Sequence, residues 1–150
     1  MRERRLAREV AVQALYEIAQ SETSWERALA ANVERREASP SVAAYAEDLV
    51  RGVRDHHDEI AGLLREALVH WDLERVALVD RCVLEVGAAE ILYLPAVPVR
   101  VVIDEALDVV RKFSSDESAA FVNGVLDRIA RDAARRAAAA AAAADRAHRG

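Results

Sequence analysis

The sequence predicts an all-α protein built as a compact bundle of seven helices. Apolar residues recur at intervals of three and four along most of the chain, and few stretches show the strict alternation of a β-strand. Only five glycines and three prolines occur among 150 residues, whereas Ala, Leu, Glu and Arg are abundant. Residues of the hydrophobic set make up 53% of the chain, which is enough for one substantial core.

Four helices are predicted in the first half of the chain. The first covers about residues 2–19, with one apolar stripe along its length. Ser24 is a candidate N-cap for the second helix. Ser39 is a candidate N-cap for the third, because Pro40 then occupies the first helical position. The fourth covers residues 59–69.

Three more helices are predicted in the second half. Asp72 is expected to cap the fifth, which is the most apolar segment and ends before two closely spaced prolines. Pro98 suits the first turn of the sixth helix. Ser114 and Glu117 have the spacing of a capping box, which predicts that the seventh helix begins at Ser114. We divide the chain into a folded domain at 1–132 and an Ala/Arg-rich, exposed helical tail at 133–150.

The seventh helix contains an Asn and a Gly in its interior, and both disfavour a helix there. Asn123 and Gly124 are nevertheless flanked by apolar residues at helical spacing. One interpretation is that another backbone approaches Gly124 closely and that Asn123 makes a polar contact. Ordinary helix packing with a satisfied Asn123 is the equally supported alternative. A close approach predicts that a large side chain at position 124 would overpack the contact.

Charge is distributed unevenly along the chain. The net charge is −5, but residues 1–8 and residues 131–150 each carry +3, so residues 9–130 carry −11. Basic ends can bind a polyanion, while an acidic body repels one or binds a basic protein.

Several classes of function are excluded or disfavoured by missing motifs. The sequence has no Gly-rich phosphate loop, no nucleophile elbow and no histidine pair at metal-ligand spacing, so we expect no enzymatic activity, no metal and no cofactor. Cys82, the single cysteine, excludes an internal disulfide and is expected to be a buried, inert thiol. No signal peptide or membrane span is apparent, and we expect a cytoplasmic protein.

Candidate RNA-binding residues combine positive charge with one aromatic ring. Arginines in the first two helical turns oppose the helix dipole, which suggests a role other than stability, although a frayed, solvated terminus is the alternative. Phosphate neutralisation and base stacking on a ring are the two main components of single-strand RNA binding. Phe121 is the candidate ring, with a plain core aromatic as the alternative. The candidates are Arg4, Arg5, Arg8, Arg100, Lys112 and Phe121.

Four motifs, in order, resemble the NusB family of transcription antitermination factors, over about residues 4–130. They are RLARE and VQALY at 5–9 and 12–16, WDLER and VDR at 71–75 and 79–81, VP and IDEA at 97–98 and 103–106, and KF and SAAFVNGVLD at 112–113 and 118–127.

The resemblance implies a seven-helix fold made of two helical subbundles. It implies binding of boxA RNA in ribosomal RNA transcripts, together with the ribosomal protein NusE, within an antitermination complex on RNA polymerase. By position, Arg4, Arg5 and Arg8 would contact the RNA backbone, Phe121 a base, and Arg100 and Lys112 would flank that surface. Glu74, Arg75 and Asp80 would face NusE.

The sequence departs from the family pattern at four positions. Glu85 replaces a frequent Arg, Ala89 an aromatic residue, Val99 a stacking Tyr of some members, and Glu117 an Asp. Two other functions stay open. One is an RNA-binding domain related to that of ribosomal RNA cytosine methyltransferases, and the other is a protein-interaction or self-assembling bundle, including a homodimer.

Overall fold

Residues 2–150 fold into seven α-helices and one short 3-10 turn in the computed structural model. Met1, the first residue of the predicted 1–132 domain, lies outside the described residues. Within residues 2–150 there is no β-strand, which confirms the all-α prediction. The helices are α1 (Arg2–Gln20), α2 (Trp25–Arg35), α3 (Pro40–Asp55), α4 (His57–Ala67), α5 (Leu78–Tyr93), α6 (Val99–Phe113) and α7 (Asp116–Arg149), and the 3-10 turn is Leu73–Arg75.

The predicted starts of α2 and α3 are confirmed. The hydroxyl oxygen of Ser24 accepts a hydrogen bond from the backbone N–H of Arg27 at 3.3 Å. That of Ser39 accepts from the N–H of Val42 at 3.3 Å, and Pro40 follows as the first residue of α3. Each cap satisfies one N–H that has no partner inside the helix.

Two predicted helix starts are wrong. Asp72 makes no capping hydrogen bond, since the extended backbone of Val76 separates the Leu73–Arg75 turn from α5, which starts at Leu78. Ser114 does not cap α7, because its N–H still donates to the carbonyl of Val110 in the last turn of α6. The cap is Ser115, whose hydroxyl accepts from the N–H of Ser118 at 3.0 Å.

Helix α5 lies at the centre of the fold. It contacts α1 and α3 on one side and α6 and α7 on the other, while α4 bridges α3, α5 and α7. The first three helices pack together and the last three pack together, as the predicted two subbundles require. The core is continuous across both, and its largest fully buried side chains include Leu49, Leu64, Leu84 and Leu126. Cys82 lies in this core as predicted, and burial raises the pKa of its thiol to about 12.

A buried ion pair connects three helices across the core. The guanidinium of Arg8 in α1 donates to both carboxylate oxygens of Glu90 in α5, at 2.8 and 2.6 Å. The hydroxyl of Tyr45 in α3 donates to the same carboxylate at 2.6 Å. Arg8 is 3% exposed and Glu90 is 1% exposed. Burial alone would lower the pKa of Arg8, but the hydrogen bond and charge of Glu90 outweigh it and raise that pKa.

The burial of Arg8 corrects one predicted RNA contact. A side chain enclosed between three helices does not reach an RNA backbone at the surface. No local feature of the sequence indicates this burial, because Arg8 follows Arg4 and Arg5 in an apparently uniform basic cluster, while its partner lies 82 residues away.

The close approach predicted at Gly124 is also wrong. A Cβ atom built on Gly124 meets no atom within 4 Å, and both Asn123 and Gly124 are exposed. The tight contact is at Gly87 in α5, where a Cβ would lie 2.8 Å from Cδ1 of Leu126. The flanking apolar stripe itself is confirmed, since Val122, Val125, Leu126 and Ile129 are buried.

Helix α7 runs without a break through the predicted tail. All side chains from residue 134 onward are exposed, and Arg136 contacts Glu66 of α4 at 3.3 Å. The division at residue 132 stays a prediction. None of the helices in residues 2–150 combines the length and apolar character needed to cross a bilayer.

We expect alanine to have opposite effects at two helical glycines. Gly124→Ala should raise the free energy of unfolding by about 0.5–1 kcal/mol, because the site is open and alanine favours a helix. Gly87→Ala should lower it by about 1–2 kcal/mol, because Leu126 is fully buried and has little room to move. Urea unfolding of both variants measures the difference. A Gly87→Ala protein as stable as Gly124→Ala would contradict the packing described.

We expect Arg8→Ala to lower the free energy of unfolding by about 3–5 kcal/mol, because it leaves the Glu90 carboxylate buried without its counter-ion. Replacing the whole network with apolar side chains, in Arg8→Met, Glu90→Leu and Tyr45→Phe together, should cost less than Arg8→Ala alone. Urea unfolding of the two variants and the parent provides the comparison. A loss below about 1 kcal/mol for Arg8→Ala would show that this arginine is solvated.

Candidate nucleic-acid interface

Arg5 lies on the surface where α1 packs against α6. Its guanidinium contacts the carboxylate of Glu105 at 2.8 Å and that of Asp108 at 2.8 Å. The Arg5 side chain remains 47% exposed. The hydrogen bond and charge of Glu105 raise the pKa of Arg5, so this group is a permanent cation. A phosphate can reach it from solvent, but must share it with two carboxylates.

Lys112 lies on the same α1–α6 surface. Its Nζ donates to Glu9 of α1 at 2.8 Å, and Arg36 donates to the same Glu9 oxygen at 2.7 Å. Burial alone would raise the pKa of the Glu9 carboxyl, but these two cations outweigh it and lower that pKa. The charged Glu9 carboxylate therefore holds Lys112 in place. About half of the Lys112 side chain is exposed.

These pairs form two groups of alternating charge on one surface, which we call the α1–α6 seam. Arg111 extends it, at 3.5 Å from Asp108 and 3.7 Å from Asp116. The seam contains four cations and four carboxylates: Arg5, Arg36, Arg111 and Lys112, with Glu9, Glu105, Asp108 and Asp116. Arg5 is therefore paired with carboxylates of α6, a feature that the charge of residues 1–8 alone does not reveal.

Arg4 and Arg100 are the other exposed cations among the predicted RNA-binding residues. The guanidinium of Arg4 lies 4.7 Å from the ring centroid of Tyr45, in a cation–π contact. Arg100 is in the first turn of α6, with its guanidinium 3.8 Å from Asp104. It is separated from Lys112 by twelve residues, or about 18 Å of helix. Arg100 and Lys112 therefore lie at opposite ends of α6.

Phe121, which was predicted to contact RNA, lines the same cleft as Arg75 and Asp80, which were predicted to contact a protein partner. The cleft lies between the Leu73–Arg75 turn and the first turns of α5 and α7, and we call it the Trp71 cleft. The rings of Trp71 and Phe121 meet edge to face, with centroids 6.1 Å apart and planes at 68°. Trp71 is 62% exposed, while Phe121 is half-buried. The residues lining the cleft are Trp71, Arg75, Val76, Ala77, Asp80, Glu117, Ser118 and Phe121.

Asp80 is one of the residues lining the Trp71 cleft, and it is 6% exposed. Its Oδ2 accepts a hydrogen bond from the hydroxyl of Ser118 at 2.8 Å. Its Oδ1 is buried and has no hydrogen-bond partner among the described residues. That Asp80 faces a protein partner stays a prediction, and its buried side chain offers little surface for such a contact.

Glu74 and Arg75, the other predicted partner-binding residues, lie on the surface of the 3-10 turn. Glu74 accepts a hydrogen bond from Arg65 of α4 at 3.0 Å, and this bond lowers the pKa of the Glu74 carboxyl. Arg75 lies 3.7 Å from Asp72. Both side chains are exposed, so they are accessible to a second molecule.

Trp71 was not among the predicted functional residues, and a second cleft around Glu85 was not predicted either. Leu15, Ile18 and Leu78 contribute apolar walls to that cleft, and Arg54, His57 and Arg81 also line it. Burial raises the pKa of the Glu85 carboxyl. The available signal was the position of Glu85 between the apolar residues Leu84 and Val86 of α5. Within residues 2–150 no cluster of His, Cys, Asp or Glu is arranged to hold a metal.

Comparison with known proteins gives consistent matches over most of the chain. A model of the NusB family matches residues 5–131. The transcription antitermination protein NusB of Myxococcus xanthus is 40% identical over 131 residues, which cover 85% of this chain and 94% of that protein. The corresponding protein of Bacillus subtilis is 37% identical over 129 residues, covering 86% and 95%.

Solved structures agree with these sequence matches. A crystal structure of the antitermination factors NusB and NusE in complex with double-stranded RNA aligns with a TM-score of 0.81 and 27% identity, over 88% of this chain and 98% of the matched chain. The structure of T. maritima NusB aligns with a TM-score of 0.79 and 30% identity, over 85% and 90%.

Proposed function

The chain belongs to the NusB family, and we propose that it binds the boxA element of ribosomal RNA transcripts together with NusE. The observation that carries the proposal is the similarity over 88% of the chain to a NusB that was crystallised with both NusE and RNA. Antitermination proteins of this family are regulatory RNA-binding proteins without catalytic activity, so we assign no enzymatic role.

Two surface features support RNA as a ligand. The α1–α6 seam offers the exposed cations Arg5 and Lys112, and Arg4 lies one position before Arg5. Such cations neutralise phosphates, and this neutralisation supplies much of the affinity for nucleic acid. The Trp71 cleft offers two aromatic rings for base contacts.

The charge of the body supports a basic protein partner. Residues 9–130 carry −11, which complements a basic ribosomal protein and favours rapid association. Glu74 and Arg75 are exposed at the 3-10 turn, beside the Trp71 cleft. We propose that the NusE contact includes this turn, that RNA crosses the cleft next to it, and that the complex acts on RNA polymerase in the cytoplasm.

We expect Arg4→Ala combined with Arg5→Ala to weaken boxA RNA binding about tenfold in the presence of NusE. Each lost phosphate contact should also reduce the slope of log affinity against log salt by about 0.7. Fluorescence anisotropy over a salt series measures both quantities. The matched control is Arg27→Ala with Arg51→Ala, two exposed arginines of α2 and α3 that lie outside the α1–α6 seam.

The outcomes of this experiment separate three cases. Loss of affinity and slope in the Arg4/Arg5 variant alone supports the seam as an RNA site. Equal losses of affinity and slope in both variants would show that the net charge of the protein causes the effect, and not the position of Arg4 and Arg5. No binding of boxA RNA by the parent with NusE present would refute the proposed function.

We expect Glu105→Gln combined with Asp108→Asn to raise RNA affinity about threefold to tenfold. These carboxylates hold Arg5 and repel phosphate, so their neutralisation frees the guanidinium for RNA. The same anisotropy titration applies, with Glu22→Gln and Glu26→Gln as a control of equal charge at the far end of α1. If both double variants gain affinity equally, the contacts to Arg5 do not limit RNA binding.

A further inference from the structure

We propose that one face of α7 carries a row of arginines that binds the phosphate backbone of RNA without reading its sequence. We call this row the arginine stripe. This inference rests on the proposed RNA-binding function and goes beyond it, because most of the stripe lies past residue 131, where the match to the NusB family model ends. The arginine stripe consists of Arg128, Arg131, Arg135, Arg146 and Arg149.

The five arginines share one face of a continuous helix. Helix α7 runs unbroken from Asp116 to Arg149. With 3.6 residues per turn, arginines at these positions fall within an arc of about 60° around the helix axis. At 1.5 Å per residue, the stripe is about 32 Å long. The buried Leu126 lies on the opposite side of the helix.

Packing does not account for this register in the tail. From residue 134 onward every side chain is exposed, so no face of the helix has to stay apolar. Arg146 and Arg149 nevertheless return to the face of Arg135 after the alanines at 137–144. The helix dipole favours cations in the last turn, but on any face. Arg136 lies off the stripe and contacts Glu66 of α4 at 3.3 Å.

Cations outnumber carboxylates along the stripe. Three aspartates lie at its edges, about 70° from its centre, and each pairs with arginines three or four residues away: Asp127 with Arg131, Asp132 with Arg128 and Arg135, and Asp145 with Arg149. Arg146 has no carboxylate partner among residues 2–150. Five cations and three carboxylates leave +2, whereas the four cations and four carboxylates of the α1–α6 seam cancel.

The arginines of the tail are accessible to a ligand. The side chains of Arg135 and Arg149 are 71% and 79% exposed. Exposed pairs between residues three or four positions apart contribute little stability, so a phosphate can compete for these guanidinium groups. Arginine also suits phosphate in geometry, because two parallel N–H groups can donate to two phosphate oxygens.

A linear polyanion is the ligand that matches the shape of the stripe. A nucleic-acid backbone carries negative charges at short, regular intervals along its whole length. Helices that bind a bilayer surface present large apolar residues opposite their cations, and protein interfaces are centred on aromatic or other large side chains. Residues 133–150 contain only Ala, Arg, Asp, His and Gly, so the tail lacks such anchors.

The position of the tail allows one RNA strand to reach both the body and the stripe. Val99 in the first turn of α6 shares a groove with Ile129 and Ala133 of α7. Arg100, which was predicted to flank the RNA surface, therefore lies at the end of the body from which the tail extends. RNA that follows α6 from Lys112 to Arg100 would meet the tail there. The second contact is then intramolecular, which raises its effective concentration.

The test moves two arginines to another face of the tail. The stripe variant combines Arg146→Ala with Arg149→Ala. The rotated variant adds Ala144→Arg and Ala147→Arg to these changes, which restores the net charge but places it away from the stripe. All four positions are exposed, so folding of the body is not at risk. Circular dichroism of the rotated variant should match that of the parent, because the composition is the same.

RNA affinity is measured with NusE over a salt series, for boxA RNA with a flanking single strand and for a scrambled RNA of equal length. Both variants should bind each RNA about tenfold more weakly than the parent, and the slope of log affinity against log salt should fall by about 1.4, for two lost phosphate contacts. The ratio of the affinities for boxA and scrambled RNA should stay that of the parent, because the stripe contacts no base.

Other outcomes overturn the proposal. If the rotated variant binds RNA as tightly as the parent, the charge of the tail matters and its arrangement does not. If the stripe variant also matches the parent, the tail does not contact RNA. A selective loss of affinity for boxA RNA would show that these arginines read sequence.

Two further results separate the remaining possibilities. Sedimentation of the parent without RNA tests binding of the stripe to the acidic body of a second copy. A dimer at low salt that the stripe variant does not form would assign the arginines to protein rather than RNA. A parent that binds boxA no better than scrambled RNA refutes the proposed function, whereas the comparison of the variants on scrambled RNA still decides whether the stripe binds a backbone.

Discussion

The buried contact of Arg8 with Glu90 determines how the first helix faces the rest of the molecule. Residues four apart lie on the same face of a helix, so Arg8 directs Arg4 toward Tyr45, the residue that also binds Glu90. Arg5 and Glu9 form the neighbouring face, which is thereby turned toward α6. One internal ion pair thus sets which basic groups of α1 are structural and which remain accessible to a ligand.

That orientation explains how an acidic protein presents a surface suited to RNA. The exposed cations of the α1–α6 seam are each held by a carboxylate, so their positive charge is positioned but partly neutralised. Surface pairs of this kind are weak, and a phosphate can compete with them. The Trp71 cleft is a second surface feature, in which the rings of Trp71 and Phe121 lie beside charged side chains.

Prediction from the sequence succeeded where one local signal was unambiguous and failed where two local signals competed or the relevant partner was distant. Ser24 and Ser39 were identified as caps because their partners lie three residues away. Ser114 was misplaced by one residue, since two adjacent serines offer the same local signal and only the end of α6 distinguishes them. Gly124 was misjudged because helical spacing reveals which face is apolar, but not which neighbouring helix comes closest.

The sequence by itself determined the helical class, the apolar faces and the family, since helical period and motif order are properties of neighbouring residues. Only the tertiary structure decided that Arg8 is internal while Arg5 is external, because the distinguishing partner is Glu90, 82 residues further along. It also decided that Asp80 and Phe121 share one cleft. Packing of α5 against α7 creates that proximity, and packing depends on contacts between residues far apart in the chain.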